Sequence, residues 1–241
     1  MNKFSITALC LCMGFCLAGE AKEPSFVSPE ESRADLILMA PSPPNSEATA
    51  QELAELHRIQ ASRSEAQQSA AMADEKDQSL FIYQRQMGAW FNPQTLPVTA
   101  AFSARVRNDE GINATPAKEA FARVRPYNQD ATLHPICITK TKNDSYPSGH
   151  ATAGYLLALA LVDMVPQKRD AILARADDYA SNRLICGVHF RSDVEAGKLL
   201  AYSVHALMAS KPQYQKELAA ARAEVQRYLS PEPSAAAALP Q

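Results

Sequence analysis

Residues 147–166 read PSGHATAGYLLALALVDMVP. From Tyr155 to Val162 the run carries Leu156, Leu159 and Ala160 and is apolar nearly all round, which is the pattern of a helix buried on every side. At about 15 residues it is too short to span a bilayer, so it belongs at the centre of a protein core. Pro147 and Ser148 precede it, and Gly149 and His150 open it. Ser148 is a good helix cap, and the first turn offers free N–H groups to an anion.

Working outward, the same 3.6-residue periodicity recurs on both sides. Good helix formers fill 48–73, with a break near Ser62–Ser64, and a further helix is expected over 74–87. An amphipathic run from Pro97 to Asn108 is expected to end at Gly111-Ile112-Asn113, and Thr115-Pro116 to start another as cap and first residue. Helices are expected over 167–185, 189–209 and 213–229; only 136–141 hints at a strand. The fold class is all-α: a single compact helical domain, 47–229, around a central buried helix.

The ends differ in composition. Residues 1–21 combine Lys3, an apolar stretch from Ile6 to Leu17 and the small residues Ala18, Gly19 and Ala21, the pattern of a cleaved secretory signal. Prolines 24, 29, 41, 43 and 44 mark 22–46 as an extended arm, and the Pro- and Ala-rich 230–241 as a disordered tail. A periplasmic or secreted location follows, and in that oxidising setting Cys137 and Cys186 form a candidate disulfide, with two buried free thiols as the alternative. The balance of 24 Lys and Arg against 26 Asp and Glu gives no case for nucleic acid or an anionic membrane as partner.

Chemistry concentrates in three places. Lys118 and Arg125 stand seven residues apart, a spacing that on a helix returns both to one face, with Pro126 ending it. His150 lies at the entry of the central helix. His189 and Asp193 are at i and i+4, so on a helix the carboxylate can hold Nδ1 and point Nε2 outward; Arg183 reaches the same point only if the chain turns between them, a turn that Gly187 permits. Two histidines in separate roles beside three cations point to phosphoryl transfer. Taken singly, each piece also fits an ordinary structural role: a basic stripe, a capped helix or a surface ion pair.

In this order and spacing the pieces resemble the three-part signature of the type 2 phosphatidic acid phosphatase and vanadium haloperoxidase superfamily. With the signal segment and short mature chain, they are most similar to the bacterial class A nonspecific acid phosphatases. The likeness runs from about Lys118 to Asp193 and includes Ser145-Tyr146 and Cys186-Gly187; Asn182 departs from it, since the family normally has Ser there.

The resemblance implies that His189 attacks phosphorus, Asp193 steadies the ring, and His150 protonates the leaving group. Lys118, Arg125, Ser148, Gly149 and Arg183 would hold the phosphoryl oxygens. It implies small-molecule phosphomonoesters as substrates, possible transfer of phosphate to alcohols, no metal or other cofactor, no membrane partner, and a homodimer or larger homo-oligomer. The residues meeting the leaving group are expected near 80–91 and 127–146. A vanadate-dependent haloperoxidase and a non-catalytic periplasmic phosphate-binding protein are the alternatives.

Overall fold

A computed structural model describes residues 22–137 and 141–229. In chain order the α-helices are α1 (Pro29–Ser32), α2 (Ala34–Ile37), α3 (Glu47–Ser62), α4 (Glu65–Lys76), α5 (Gln84–Met87), α6 (Pro97–Phe121), α7 (Pro126–Gln129), α8 (Gly149–Met164), α9 (Arg169–Ile185), α10 (Arg191–Ala209) and α11 (Pro212–Leu229). Two 3₁₀ turns, Leu80–Tyr83 and Pro166–Lys168, lead into α5 and α9. Among the described residues there is no strand, and the fold is all-α. The expected signal segment and tail lie outside the described residues, as does half of the stretch, 138–140, where a strand was hinted.

Helix α8 is the axis. Leu156, Leu157, Ala158, Ala160 and Leu161 are fully buried along it, and burying each leucine is worth about 1.5–3 kcal/mol. Helices α6, α9, α10 and α11 pack around it. Two glycines set the closest approaches: a Cβ on Gly154 would meet the Tyr179 ring of α9 at 2.6 Å, and one on Gly197 of α10 would meet the Ser148 carbonyl at 2.6 Å. Gly197 therefore lets the start of α10 lie directly against the start of α8.

Several local expectations are corrected. The arm 22–46 is not wholly extended: α1 and α2 are single turns within it, since Pro29 opens α1, where its missing N–H needs no partner. The arm is bound to α6, with Asp109 accepting the N–H groups of Ser25, Phe26 and Val27 at 2.5, 2.8 and 2.8 Å and Asn113 donating to the Val27 carbonyl at 2.9 Å. Residues 74–87 are not one helix, because Asp77 accepts the Ser79 N–H at 2.8 Å and turns the chain into the 3₁₀ element.

Gly111 does not break the next helix. Helix α6 continues through Pro116, with the Thr115 hydroxyl donating to the Gly111 carbonyl at 2.7 Å. Buried Val106, Asn113, Ala114 and Ala117 keep this face packed on both sides of the irregularity, and that packing outweighs the local breakers.

Candidate active site

The first cation comes from α6 and the second from beyond it. The helix ends at Phe121 with Ala122 in the left-handed region (φ 42°), so Lys118 and Arg125 do not share a helix face as expected, and Pro126 opens α7 instead of ending a helix. The tertiary fold nonetheless brings both into one cavity. Lys118 Nζ donates to the carbonyls of Asp144 and Pro147 at 2.6 and 2.7 Å. Arg125 donates to Asp144 Oδ1 at 2.9 Å and to the Val188 carbonyl at 3.0 Å.

His189 precedes α10 and is not helical, which corrects a second expectation. Its contact with Asp193 survives because Asp193 occupies the third position of α10 and folds back over the helix start. Asp193 Oδ2 accepts the Phe190 N–H at 2.8 Å and the Ser145 hydroxyl at 2.5 Å, and lies 3.3 Å from His189 Nδ1. With Nδ1–H on the carboxylate, Nε2 keeps its lone pair and receives the Arg125 guanidinium at 3.2 Å. Asp193 is fully buried, and its Oδ1 accepts from Arg123 Nη1 at 2.6 Å. Burial raises the Asp193 pKa, against the pull of Arg123, Ser145 and the Phe190 N–H.

Ser148 caps α8, its hydroxyl accepting the Ala151 N–H at 3.4 Å, while its own N–H donates to the Asp193 carbonyl at 2.9 Å. Gly149 and His150 then present first-turn N–H groups that the helix itself cannot satisfy. Gly187, at φ 74°, supplies the turn that brings Arg183 and His189 to the same cavity. The arginine is 2 % exposed and pairs with Glu75, and its Nε is a buried donor with no acceptor among the described residues. A cavity of about 280 Å³ is lined by Lys118, Arg125, Gly149, His150, Arg183 and His189.

His150 lines the same cavity as His189. Arg107 Nε donates to Gln78 Oε1 at 2.5 Å, which turns the Gln78 amide nitrogen toward His150 Nε2 at 2.8 Å. The Glu75 carbonyl also lies 3.2 Å from the same Nε2. Burial and the neighbouring Arg183 push the His150 pKa down to about 2. His189 is likewise lowered, by burial and by Arg125, Arg183 and Lys118. Both imidazoles are driven toward the neutral form.

Residues 99–217 match the model of the PAP2 superfamily. These residues form a PAP2 superfamily domain. It is similar to a non-specific acid phosphatase of Providencia stuartii, 39% identical over 122 residues, 48% of each chain. It is also similar to one of Salmonella typhimurium, 34% identical over 148 residues, 60% of this chain and 59% of that protein. The chain thus spans about half to three-fifths of the length of these curated relatives.

A transmembrane PAP2 type phosphatidylglycerolphosphate phosphatase from Bacillus subtilis has a similar fold, with a TM-score of 0.50 at 19% identity over 68% of this chain and 86% of that one. In this chain, no helix among the described residues is long and apolar enough to cross a membrane.

Other PAP2-site features lay beyond sequence reasoning. Arg123 belongs to no motif, yet it is 5 % exposed, bonded to Asp193 and to Glu52, and stacked over Phe190 at 4.0 Å. Glu75, Gln78, Arg107 and Glu110 arrive from segments without a motif. Asn182, the departure from the family pattern, turns to Asp74 at 2.7 Å, the carboxylate that also holds Arg175. Cys137 and Cys186 are joined as a disulfide, with Cα atoms 5.1 Å apart.

Proposed function

We propose that this chain is an exported acid phosphatase that hydrolyses a broad range of phosphomonoesters through a phosphohistidine at His189, needs no metal, and also passes the phosphoryl group to alcohols. The supporting observation is the orientation of His189, with Nδ1 on buried Asp193 and Nε2 facing a cation-lined cavity. Similarity to proteins named acid phosphatases supports the same reading.

In this reading the phosphoryl oxygens take donors from Lys118, Arg125, Arg183 and the Gly149 amide, with Ser148 holding the helix start, where the charge of phosphoryl transfer is spread. Arg125 moves its hydrogen bond from Nε2 to an oxygen, freeing the lone pair. Nε2 attacks phosphorus, the P–O bond to the alcohol breaks, and His150 gives its proton to the leaving oxygen. His150 then takes a proton from water as that water attacks the phosphohistidine, releasing phosphate and restoring both rings. Burial and Arg183 lower the His150 pKa; a bound anion offsets the Arg183 charge, so the proton arrives with the substrate. Acidic conditions supply it.

The test is hydrolysis of 4-nitrophenyl phosphate at about pH 5–6 with a chelator present, near the range where an imidazole titrates, by the wild type and His189→Ala. Activity in the wild type and its loss in the variant are expected, with acid-labile phosphate trapped only on the wild type. Equal turnover by the two proteins rules the mechanism out.

A further inference from the structure

Glu110 is an acidic residue in the wall of a cavity built for an anion. It is 2 % exposed and reaches the cavity from α6. Its Oε2 pairs with Arg107, while no described residue donates to Oε1. Oε1 lies 2.9 Å from where a Cβ on Gly149 would stand, and Lys118 Cε lies 4.0 Å from that same point. The free oxygen thus sits beside the glycine whose amide faces the cavity and beside the first cation. Gly149 is also the residue that makes room for it.

We propose that Glu110 binds the phosphoryl group in its neutral form, its carboxyl O–H donating from Oε1 to a phosphoryl oxygen, so that anion capture takes up one proton at this side chain. The inference rests on the anion-site reading above but not on its chemical steps. An ionised carboxylate at this position would face the bound dianion and repel it; the neutral acid adds a donor to the set.

Burial already raises the Glu110 pKa, and Arg107 and Lys118, both on its own helix, oppose that rise. From the other elements, His150 of α8, Arg125 and Asp144 of the segment between α6 and α8, Arg183 of α9 and His189 before α10 share the cavity. Asp144 stays ionised, lowered to about 2, and burial drives both histidines toward the neutral form. The anion's own charge raises Glu110 further.

Sulfate is a suitable probe, because it remains a tetrahedral dianion over the whole working range. Titration calorimetry between about pH 4.5 and 7.5, in buffers of different ionisation enthalpy, counts protons taken up per sulfate; a linked proton changes Kd about tenfold per pH unit. Wild type should bind more weakly as pH rises through the Glu110 pKa and should take up a proton there.

Glu110→Gln should keep the low-pH affinity, since its amide N–H replaces the O–H, and should take up close to one proton fewer where Glu110 is ionised in the wild type. Wild-type binding without proton uptake overturns the proposal, needing no variant at all. An unchanged pH slope in Glu110→Gln overturns it too, because the histidines would then carry the proton. A chain that binds sulfate as expected but hydrolyses no phosphomonoester leaves this inference standing and defeats the catalytic one.

Discussion

Asp193 accepts from four directions, and this explains why its partner on the far side matters as much as His189. Arg123 is the only guanidinium among the described residues bonded to the carboxylate, and it also ties Glu52 of α3 into the site. Removing one member of a buried pair leaves the other charge uncompensated, at a cost of about 3–5 kcal/mol. Arg123→Met is therefore expected to lower stability in urea by that amount and to reduce kcat more than KM; a variant with wild-type stability and kcat would show that Asp193 needs no counter-charge.

His150 makes a pH prediction with a definite sign. Its folded pKa, about 2, is below the ordinary value of 6.5, so the unfolded chain binds the proton first as pH falls. The fold loses stability from about pH 6.5 downward on this account, by about 2.5 kcal/mol between pH 7 and 4.5. His150→Gln should lose less over the same interval in denaturant titrations. Parallel pH slopes for the two proteins would mean that the imidazole does charge in the folded state.

At the scale of elements, the site is a meeting of helix starts. Helices α8 and α10 approach because Gly197 has no side chain where the Ser148 carbonyl passes, and the Ser148 N–H to Asp193 carbonyl bond at 2.9 Å joins them. Gly197→Ala cannot be relieved by a side-chain rotation, since its Cβ meets backbone. Separation of the two helix starts should cost about 1–3 kcal/mol and, by moving His189 away from His150, lower kcat about tenfold or more. Full activity in this variant would show that the spacing is not critical.

The sequence made α8 legible because its run needs no partner to be recognised as buried. It misled at α6, where Gly111 and Pro116 are locally strong breakers but the arm and core hold the helix through them. The i, i+4 spacing of His189 and Asp193 pointed to a real contact for a reason other than the expected one: a folded-back third residue, not a shared helix face. Arg123, Gln78 and Glu110 could not be found this way, because nothing local distinguishes a buried charge from an exposed one.

For the molecule as a whole, the cavity is assembled from segments that meet only when the chain closes: Gln78 after α4, Glu110 and Lys118 on α6, Arg125 beyond it, His150 on α8, and Arg183 and His189 flanking Gly187. The Cys137–Cys186 bond closes a loop with a sequence separation of 49 that contains Ser148, His150 and Arg183, and it ends beside Gly187. A crosslink across such a loop restricts the unfolded chain far more than the folded one and contributes about 2–4 kcal/mol. Its effect should thus appear in stability before it appears in chemistry. Reduction, or the double substitution Cys137→Ala with Cys186→Ala, is expected to lower the unfolding free energy measured in urea by that amount while kcat at about 25 °C changes less than twofold, since the hydrogen bonds of Arg125, Ser145 and Asp193 hold the site independently. A large fall in kcat with little loss of stability would reverse the assignment and make the disulfide a positioning element of the turn at Gly187.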